Sequence, residues 1–379
     1  MLRLRRIATG FALAAMIAAA AIYVVPPPDN SPKSLPERFS DEEFWKIVTN
    51  FSENGGYFRS DNFISNESTF QWVVPDLSKN RKQGGVYLGV GPDQNFTYIV
   101  ALHPAVAFIT DIRRQNMLLH LMYKVLFEMS ADRAEFLSKL FGRHIPAVVN
   151  DSDDLETMLK AFNAEKADQT LARNTFIAMM GRLREGHHFL LTPEDAGSID
   201  YVYKAFVAGG PEIRYSFPNQ YAWRRFPSYS ELMLETDSSG ESHSYMASEE
   251  NFQTMKKLES ENRIIPIVGD FAGDKALRSV AKYLKRHGAP VTAFYTSNVE
   301  FYLFQSDDWR KYLSNVSKLP LERDSVFIRA YFNNYGPPYT KASNSRSETL
   351  VDGMQDLVAA FKAGQIHSYF DVIKRSTAP

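Results

Sequence analysis

The stretch Val86-Tyr87-Leu88-Gly89-Val90-Gly91, followed by Pro92-Asp93, decides the fold. It is a short apolar run that breaks at glycine and leads into a helical pattern from about residue 94 to residue 102. This order predicts a strand, a glycine turn and a helix. The apolar run at 105–110 predicts a second buried strand, which ends on Asp111. Apolar residues at helical spacing then predict a long helix over about 117–129.

The same alternation of strands and helices returns later in the chain. Apolar runs predict strands at 264–268, 291–295 and 325–332, with helices between them. Five strands separated by helices are typical of a parallel sheet that is covered on both faces. We therefore predict an α/β fold with a Rossmann-like, doubly wound, mostly parallel sheet. The predicted spatial order of its strands is 3-2-1-4-5.

Two capping boxes flank this alternating region. Ser40 and Glu43 predict the start of a first helix, and Ser345 and Glu348 predict the start of a final helix over 350–361. The alternation is lost between about 144 and 250, where helical patterns are interleaved with loops. We interpret this segment as a helical and irregular insertion within one domain that spans residues 40–379.

The N-terminus carries a membrane-directed segment. Arg3, Arg5 and Arg6 precede the uncharged run 7–25, whose length suits a membrane-spanning helix better than the apolar core of a signal peptide. The pattern predicts an anchor or signal over residues 1–25, followed by a proline-rich linker over 26–39. By the positive-inside tendency, the globular part would lie outside the cytoplasm. A cleaved signal and a cytoplasm-facing anchor stay open as alternatives.

Composition excludes several classes of function. The chain has 379 residues, 44% of them hydrophobic, and a formal net charge of −1, so it has core material and no overall field that would attract nucleic acid. It has no cysteine, which excludes disulfides, thiolate metal sites and cysteine nucleophiles. We therefore expect no polyanionic partner such as a nucleic acid, and we predict no metal site.

The residues that end the predicted strands are the first candidates for a binding site. In an open parallel sheet, ligands bind outside the carboxyl ends of the strands, near the point where the strand order reverses. Glycine at 89 and 91 lets the backbone approach a ligand closely. Asp111 lies 22 residues after Gly89, near the offset at which an acid accepts hydrogen bonds from ribose hydroxyls. The pattern favours a nucleotide-like ligand.

With these motifs the chain resembles the class I S-adenosylmethionine-dependent methyltransferase superfamily, over 86–111 and 263–334. The resemblance implies S-adenosylmethionine as cofactor, with Gly89 and Gly91 at its methionine part and Asp111 at its ribose. It also implies that Asp270 faces adenine beside Phe271. The cofactor-binding residues implied in this way are Gly89, Gly91, Asp93, Asp111, Asp270, Phe271, Thr296 and Ser297.

Two positions depart from the pattern of that superfamily. Tyr87 stands where an acid is expected two residues before the first glycine, beside the ammonium group of the methionine. Asp93 stands where a third glycine is expected. The fourth strand ends in Thr296-Ser297-Asn298, which resembles the family's acceptor motif. Its catalytic candidates are Asn298, which could orient an acceptor amine or hydroxyl, with Glu300 or Tyr302 assisting.

Other polar and aromatic clusters are candidates for the acceptor side or for structural roles. Tyr57 and Asn66-Glu67 precede the first strand, where the related fold often places a lid. His187-His188 is interpreted as part of a solvated basic loop, and Asp151 to Asp154 as a helix N-cap cluster. An aromatic and cationic cluster in the insertion is interpreted as packing more than substrate contact. Its members are Tyr215, Phe217, Tyr221, Trp223, Arg224, Arg225, Phe226 and Tyr229.

Three functional hypotheses follow from these observations. The first is an enzyme that transfers a methyl group from S-adenosylmethionine to a small or lipid-like acceptor. The second is an exported or membrane-anchored binding or scaffold protein that retains a degenerate version of the fold. The third is a dinucleotide-binding protein that uses Gly89, Gly91 and Asp111, although it also lacks the third glycine of that fingerprint.

Overall fold

The computed structural model describes residues 34–80, 84–150, 153–215, 226–332 and 346–377. The predicted anchor or signal over residues 1–25 lies outside these ranges. Within them, no helix combines the length and the apolar character that a membrane crossing needs. Packing begins within the predicted linker, where Leu35 lies partly buried against the core. Phe39 is buried, and its backbone N–H donates a 3.0 Å hydrogen bond to the carbonyl oxygen of Glu261.

A mixed sheet forms the centre of the fold. Its strands run in the spatial order β3-β2-β1-β4-β5-β6, and the first five are parallel. The predicted order 3-2-1-4-5 is therefore confirmed. The strands are β1 (Val86–Gly89), β2 (Val106–Asp111), β3 (Ile264–Val268), β4 (Val291–Ser297), β5 (Leu321–Phe332) and β6 (Ser347–Gly353). β1 to β3 are buried along their whole length, as expected for parallel strands with helices on both faces.

Strand β6 was not predicted, and the predicted final helix over 350–361 is wrong at its start. β6 pairs antiparallel with β5, and the helix begins only at Met354. Ser347 also exchanges hydrogen bonds with Ser68, far away in the sequence. These long-range partners override the local capping pattern at Glu348, because the stability of a strand depends on its neighbours. Ser345 lies outside the described residues.

Helices cover the sheet and fill the segment between β2 and β3. The capping box of Ser40 and Glu43 is confirmed at the start of α1, where both of its hydrogen bonds are present. The helices before β3 are α1 (Asp41–Phe51), α2 (Val74–Asn80), α3 (Gln94–Leu102), α4 (Arg114–Met129), α5 (Arg133–Phe141), α6 (Leu155–Ala164), α7 (Gln169–Gly181), α8 (Pro193–Gly209), α9 (Tyr229–Met233) and α10 (Glu249–Ser260). Those after β3 are α11 (Ala276–Arg286), α12 (Val299–Gln305), α13 (Trp309–Val316), α14 (Met354–Lys362) and α15 (Tyr369–Ile373).

The segment between β2 and β3 is organised around α4. This helix is apolar and buried almost all the way round, which is typical of a helix in the middle of a large core. α5, α8 and α10 pack against it, and their apolar side chains belong to the same hydrophobic core as the sheet. That residues 144–250 are an insertion into a smaller ancestral fold stays a prediction.

A buried ion network connects β5, β6 and α12. The Arg329 guanidinium contacts the carboxylates of Glu300 and Asp352, and all three side chains are almost fully buried. Tyr312 donates a 3.0 Å hydrogen bond to Glu300 from α13. The attraction of these charges must offset their desolvation, so each one depends on its partners. The network fixes α12 against the end of the sheet.

We expect Glu300→Gln to lower the free energy of unfolding by about 3 kcal/mol, because the buried Arg329 would lose a charged partner. Chemical denaturation of the purified full-length chain measures this effect. Glu156→Gln is the matched control, since Glu156 forms an exposed pair with Lys160 that should contribute less than about 0.5 kcal/mol. Equal effects of the two substitutions would contradict the assigned role of the network.

Candidate functional site

One large cavity, of about 1570 Å³, lies at the carboxyl ends of the parallel strands. Its wall includes residues at or just after the ends of β1, β2, β3 and β4, namely Gly91, Asp111, Asp270 and Ser297. The strand order reverses between β1 and β4, because β2 and β3 follow on one side of β1 and β4 follows on the other. This reversal is the position at which open α/β sheets bind their ligands.

Gly91 provides an open stretch of backbone in the cavity wall. Its φ of +75° lies in the left-handed region that favours glycine. A Cβ atom placed there would lie 3.7 Å from Nδ2 of Asn62, which also lines the cavity. Behind the loop, Nε2 of the buried His120 lies 2.8 Å from the Gly91 carbonyl oxygen. The loop is thus supported from inside while its outer side faces the cavity.

Asn95 fixes the shape of the glycine loop. Its Nδ2 donates hydrogen bonds to the carbonyl oxygens of Val90 (2.9 Å) and Pro92 (2.6 Å), and its Oδ1 accepts one from the Tyr87 hydroxyl (2.9 Å). A Cβ atom at Gly89 would lie 1.9 Å from Asn95 Oδ1. Gly89 therefore makes room for Asn95, and it does not line the cavity. Tyr87 is fully buried and serves the same loop.

Asp111 lines the cavity but is engaged by Arg113. Its Oδ1 accepts hydrogen bonds from the Arg113 backbone N–H (2.8 Å) and Nε (3.2 Å), and its Oδ2 accepts one from Nη2 (3.3 Å). Arg113 also donates to the carbonyl oxygens of Ser60 and Asp61. The pair therefore connects the end of β2 to the segment before β1. This ion pair was not predicted from the sequence.

Asp270 and Phe271 lie at the end of β3 and line the same cavity. Asp270 Oδ1 accepts a 2.8 Å hydrogen bond from the backbone of Ala272, which orients the carboxylate. Phe271 is mostly buried and packs edge-on against Phe294, with ring centroids 4.9 Å apart. A carboxylate beside an aromatic ring can contact a planar, hydrogen-bonding ligand.

The end of β4 brings Ser297, Asn298 and Tyr302 to the cavity, whereas Thr296 and Glu300 point elsewhere. Ser297 has a φ of +51°, an uncommon conformation for a residue other than glycine. Thr296 is fully buried, and Glu300 belongs to the ion network with Arg329. That Thr296 contacts a cofactor and that Glu300 assists catalysis stay predictions without support from these positions.

The segment before β1 forms one wall of the cavity, where the sequence predicted a lid. Tyr57, Asn66 and Glu67 all line the cavity, and the Tyr57 side chain is 84% exposed. Phe58 packs edge-on against Tyr302, with ring centroids 5.5 Å apart. This wall is therefore aromatic near α12 and acidic at Glu67.

Glu67 is the centre of a buried polar cluster in this wall. Its Oε1 accepts hydrogen bonds from the Tyr295 hydroxyl (2.8 Å) and from Ser297 Oγ, and its Oε2 accepts one from Gln94 Nε2 (2.8 Å). Ser65 in turn donates to Gln94 Oε1. Burial raises the pKa of Glu67 above its ordinary value, although these hydrogen bonds act against the shift.

The aromatic cluster of the insertion divides between cavity and core. Tyr215 and Phe226 line the cavity, and the Tyr215 hydroxyl lies 2.5 Å from Ser60 Oγ. Tyr229 is fully buried away from the cavity and bonds to Tyr245. The remaining members of the cluster, Phe217, Tyr221, Trp223, Arg224 and Arg225, lie outside the described residues.

Asp93 faces the interior rather than the cavity. Its carboxylate is buried and accepts a 3.0 Å hydrogen bond from the Tyr245 hydroxyl. Burial raises the pKa of Asp93 to about 7. Because Pro92 lines the cavity and Asp93 does not, the role of Asp93 in cofactor binding stays a prediction.

The remaining polar candidates have structural partners. The interpretation of His187-His188 as part of a solvated loop is wrong for His187, which is buried, whereas His188 is exposed. The Nδ1 of His187 lies 2.9 Å from an Asp41 carboxylate oxygen, and its Nε2 lies 2.7 Å from one of Glu128. Of the predicted N-cap cluster, Asp154 caps α6 by accepting a hydrogen bond from the backbone of Thr157, while Asp151 and Ser152 lie outside the described residues. The acids around His187 are too distant in the sequence for a local pattern to reveal them.

A separate group of side chains could hold a metal ion, although no metal site was predicted. In the part of the chain that the structure describes, Asp237, Glu241 and His243 place possible ligand atoms within 4.8 Å of one another. His243 Nε2 lies 2.8 Å from Asp237 Oδ2, and Asp237 Oδ1 accepts hydrogen bonds from Ser239 and Glu241. These contacts stabilise a turn outside the large cavity.

The buried Asp93 predicts a specific dependence of stability on pH. Its pKa is raised from 3.8 in the unfolded chain to about 7 in the folded chain, so ionisation opposes folding. We expect the wild-type chain to lose stability relative to Asp93→Asn as the pH rises from about 4 to about 7. Thermal unfolding of both chains across this range tests the difference. Parallel pH profiles of the wild-type chain and Asp93→Asn would contradict it.

Comparisons with known proteins place the chain in a family. A search of curated proteins found no match. A family model described as "Domain of unknown function (DUF7790)" matches residues 62–378. The match begins in the segment before β1 and includes β1 to β6 together with the cavity residues after position 61. The chain therefore belongs to this family, whose matched region contains the sheet and most of the candidate site.

Proposed function

We propose that the chain binds S-adenosylmethionine in the large cavity and transfers its methyl group to an acceptor. The observation that carries the proposal is the common position of Gly91, Asp111, Asp270 and Phe271 around one cavity at the reversal of the strand order. These residues include four of the positions at which the superfamily resemblance places cofactor contacts. Ser297, a fifth of the eight positions, also lines the cavity, whereas Gly89, Asp93 and Thr296 do not.

The groups that line the cavity match the parts of the cofactor, except that Arg113 already occupies most of the Asp111 carboxylate. Gly91 leaves backbone accessible, and Asp270 with Phe271 offers a carboxylate beside an aromatic wall. Arg113 uses three of the roughly four lone-pair positions of the Asp111 carboxylate, which leaves about one for a ribose hydroxyl. Asp111 would thus contact the ribose through Oδ2 while Arg113 holds the carboxylate in place.

The size of the cavity supports two occupants. Sites for a single small molecule usually have volumes of about 300–1,000 Å³. The cavity, at about 1570 Å³, is larger and therefore has room for a cofactor and an acceptor together. A reaction between two bound molecules needs such a shared space, because catalysis by alignment requires both reactants in one site.

The acceptor would bind between the end of β4 and the aromatic wall. Ser297 and Asn298 offer polar groups there, and Phe58, Phe301 and Tyr302 offer apolar surface. This combination suits a small or lipid-like molecule with an amine or hydroxyl group. When bound, S-adenosylmethionine supplies the electrophilic methyl group. The chain's own residues would hold the acceptor nucleophile in line with it and exclude water.

A binding or scaffold protein without catalysis is the second candidate. It is favoured by the ion pair between Asp111 and Arg113, which reduces the capacity of the carboxylate for ribose. The uncharged Tyr87 at the position of an expected acid favours it as well. Under this alternative the cavity would bind a different small molecule, and adenosyl compounds would not stabilise the fold.

We also propose that residues 1–25 direct the chain to a membrane or across it. Reporter fusions at the C-terminus that are active on only one side of the membrane test the orientation. A reporter active in the cytoplasm would favour the methyltransferase, because the cofactor is made there. A reporter active outside would favour the binding protein and would place the cavity away from its proposed cofactor.

Calorimetric titration of the purified full-length chain with S-adenosylhomocysteine, the demethylated product, tests the proposal. We expect binding, and we expect Asp111→Ala to weaken it by about ten- to a hundredfold, because a hydrogen bond to a charged acceptor is lost. Asp111→Asn keeps the size of the side chain and should give a weaker effect in the same direction.

Asp308→Ala is the matched control, because Asp308 lines the same cavity but lies after α12 and pairs with Lys311. This substitution should leave the affinity within about twofold. Absence of both heat and thermal stabilisation at millimolar ligand would contradict the proposed cofactor. Binding that Asp111→Ala leaves unchanged would contradict the ribose contact.

A further inference from the structure

The proposed cofactor carries an ammonium group that needs a negative partner, and β1 does not provide one. Tyr87 occupies the position where the superfamily pattern has an acid. Its hydroxyl donates to Asn95, and the side chain is fully buried. A neutral phenol committed to this hydrogen bond offers no counter-charge. Another residue of the chain must therefore supply the negative charge if the cofactor binds.

Glu67 lies at the place where that charge is needed. One of its oxygens accepts a hydrogen bond from Gln94. Gln94 is the first residue of α3, directly after the glycine loop that follows β1. The other oxygen accepts hydrogen bonds from the hydroxyl groups of Tyr295 and Ser297, at the end of β4. Glu67 therefore bridges the ends of the two strands between which the strand order reverses. It lines the same cavity as Gly91.

The surroundings of Glu67 favour a cationic ligand. Its hydrogen-bond partners in the described part of the chain are three neutral side chains, from Gln94, Tyr295 and Ser297. A buried carboxylate that lacks a cation loses hydration without an opposite charge to offset the loss. The raised pKa of Glu67 reflects this cost. A bound ammonium group would lower the cost and favour the ionised form.

The carboxylate has capacity for one more contact. Three hydrogen bonds occupy three of its roughly four lone-pair positions, and the open position is on Oε2. Ser297 Oγ, which donates to Oε1, also has lone pairs of its own and lies in the cavity wall. An ammonium group has three donors and can use both acceptors at once.

We propose, on the basis of the proposed cofactor, that Glu67 replaces the acid missing from β1 and supplies the counter-charge for the ammonium group of S-adenosylmethionine. The segment before β1 then acts as part of the cofactor site. Ser297, held at positive φ, orients its hydroxyl between Glu67 and the ligand. Glu67 is a binding residue and takes no part in breaking or forming a covalent bond.

Two ligands that differ only in the ammonium group test this assignment. S-adenosylhomocysteine has it, and the deamino analogue of S-adenosylhomocysteine lacks it. Calorimetry on the full-length wild-type chain should show a preference of about ten- to a hundredfold for the ligand with the ammonium group. Glu67→Gln should reduce this preference to about twofold or less, and Glu67→Asp should retain part of it.

Glu259→Gln is the matched control. Glu259 is a buried carboxylate in α10 whose pKa is also raised by burial, and it lines neither the large cavity nor the smaller one beside Glu67. Its substitution should leave the preference for the ammonium ligand intact. Thermal unfolding of each variant establishes that it is folded. If Glu67→Gln does not fold, the wild-type chain alone provides the test. Equal affinity of the wild-type chain for the two ligands would then overturn the assignment of Glu67.

The possible outcomes separate the two proposals. If both ligands bind and Glu67→Gln retains the preference, the assignment of Glu67 is wrong while the proposed cofactor stands. If neither ligand binds the wild-type chain, the proposed cofactor is wrong and the assignment falls with it. Loss of the preference in Glu67→Gln, with the preference retained in Glu259→Gln, supports both.

Discussion

Strand β1 lies between β2 and β4 in the sheet. The chain forms β2 and β3 on one side of β1, and then crosses to form β4 on its other side. This arrangement leaves a crevice at the carboxyl end of β1, because the connections on its two sides diverge there. The shape of the crevice depends on Asn95, which holds the carbonyl groups of the glycine loop and accepts from Tyr87 inside β1. The backbone at Gly91, which lines the cavity, is part of this loop, and Gln94, which contacts Glu67, directly precedes Asn95.

Buried charges in the described residues differ in how they are neutralised. Glu300 and Asp352 share Arg329 from different elements, and Glu128 pairs with Lys124 within α4 and with Arg182 from the segment after α7, so each of these carboxylates has a cationic partner. Glu67 lies in the cavity wall with neutral partners only. A buried acid that is not neutralised within the protein is costly, and such groups concentrate at functional sites. Asp93 also has a neutral partner, Tyr245, but only Glu67 of these two acids lines the cavity.

The sequence predicted the sheet well because the first four parallel strands are mostly apolar runs that end at or next to a glycine or a polar residue. It therefore also indicated that Asp111, Asp270 and Ser297 come at strand ends, and the structure places all three in one cavity wall. Strand β6 escaped prediction because its pairing with β5 depends on residues far away in the sequence. The engagement of Asp111 by Arg113 also requires the segment before β1, which no local pattern places beside β2. The polar cluster around Glu67 joins three separate stretches of chain and was visible only as a position before the first strand.

The most direct test of the cofactor site is a crystal structure of the full-length chain grown with S-adenosylhomocysteine. We expect the adenine to lie beside Asp270 and Phe271, and the amino group to lie beside Glu67 and Ser297. The glycine loop at Gly91 should run along the ligand between these two ends. A cavity that stays empty at saturating ligand, or a ligand bound away from the carboxyl ends of β1 to β4, would contradict this expectation.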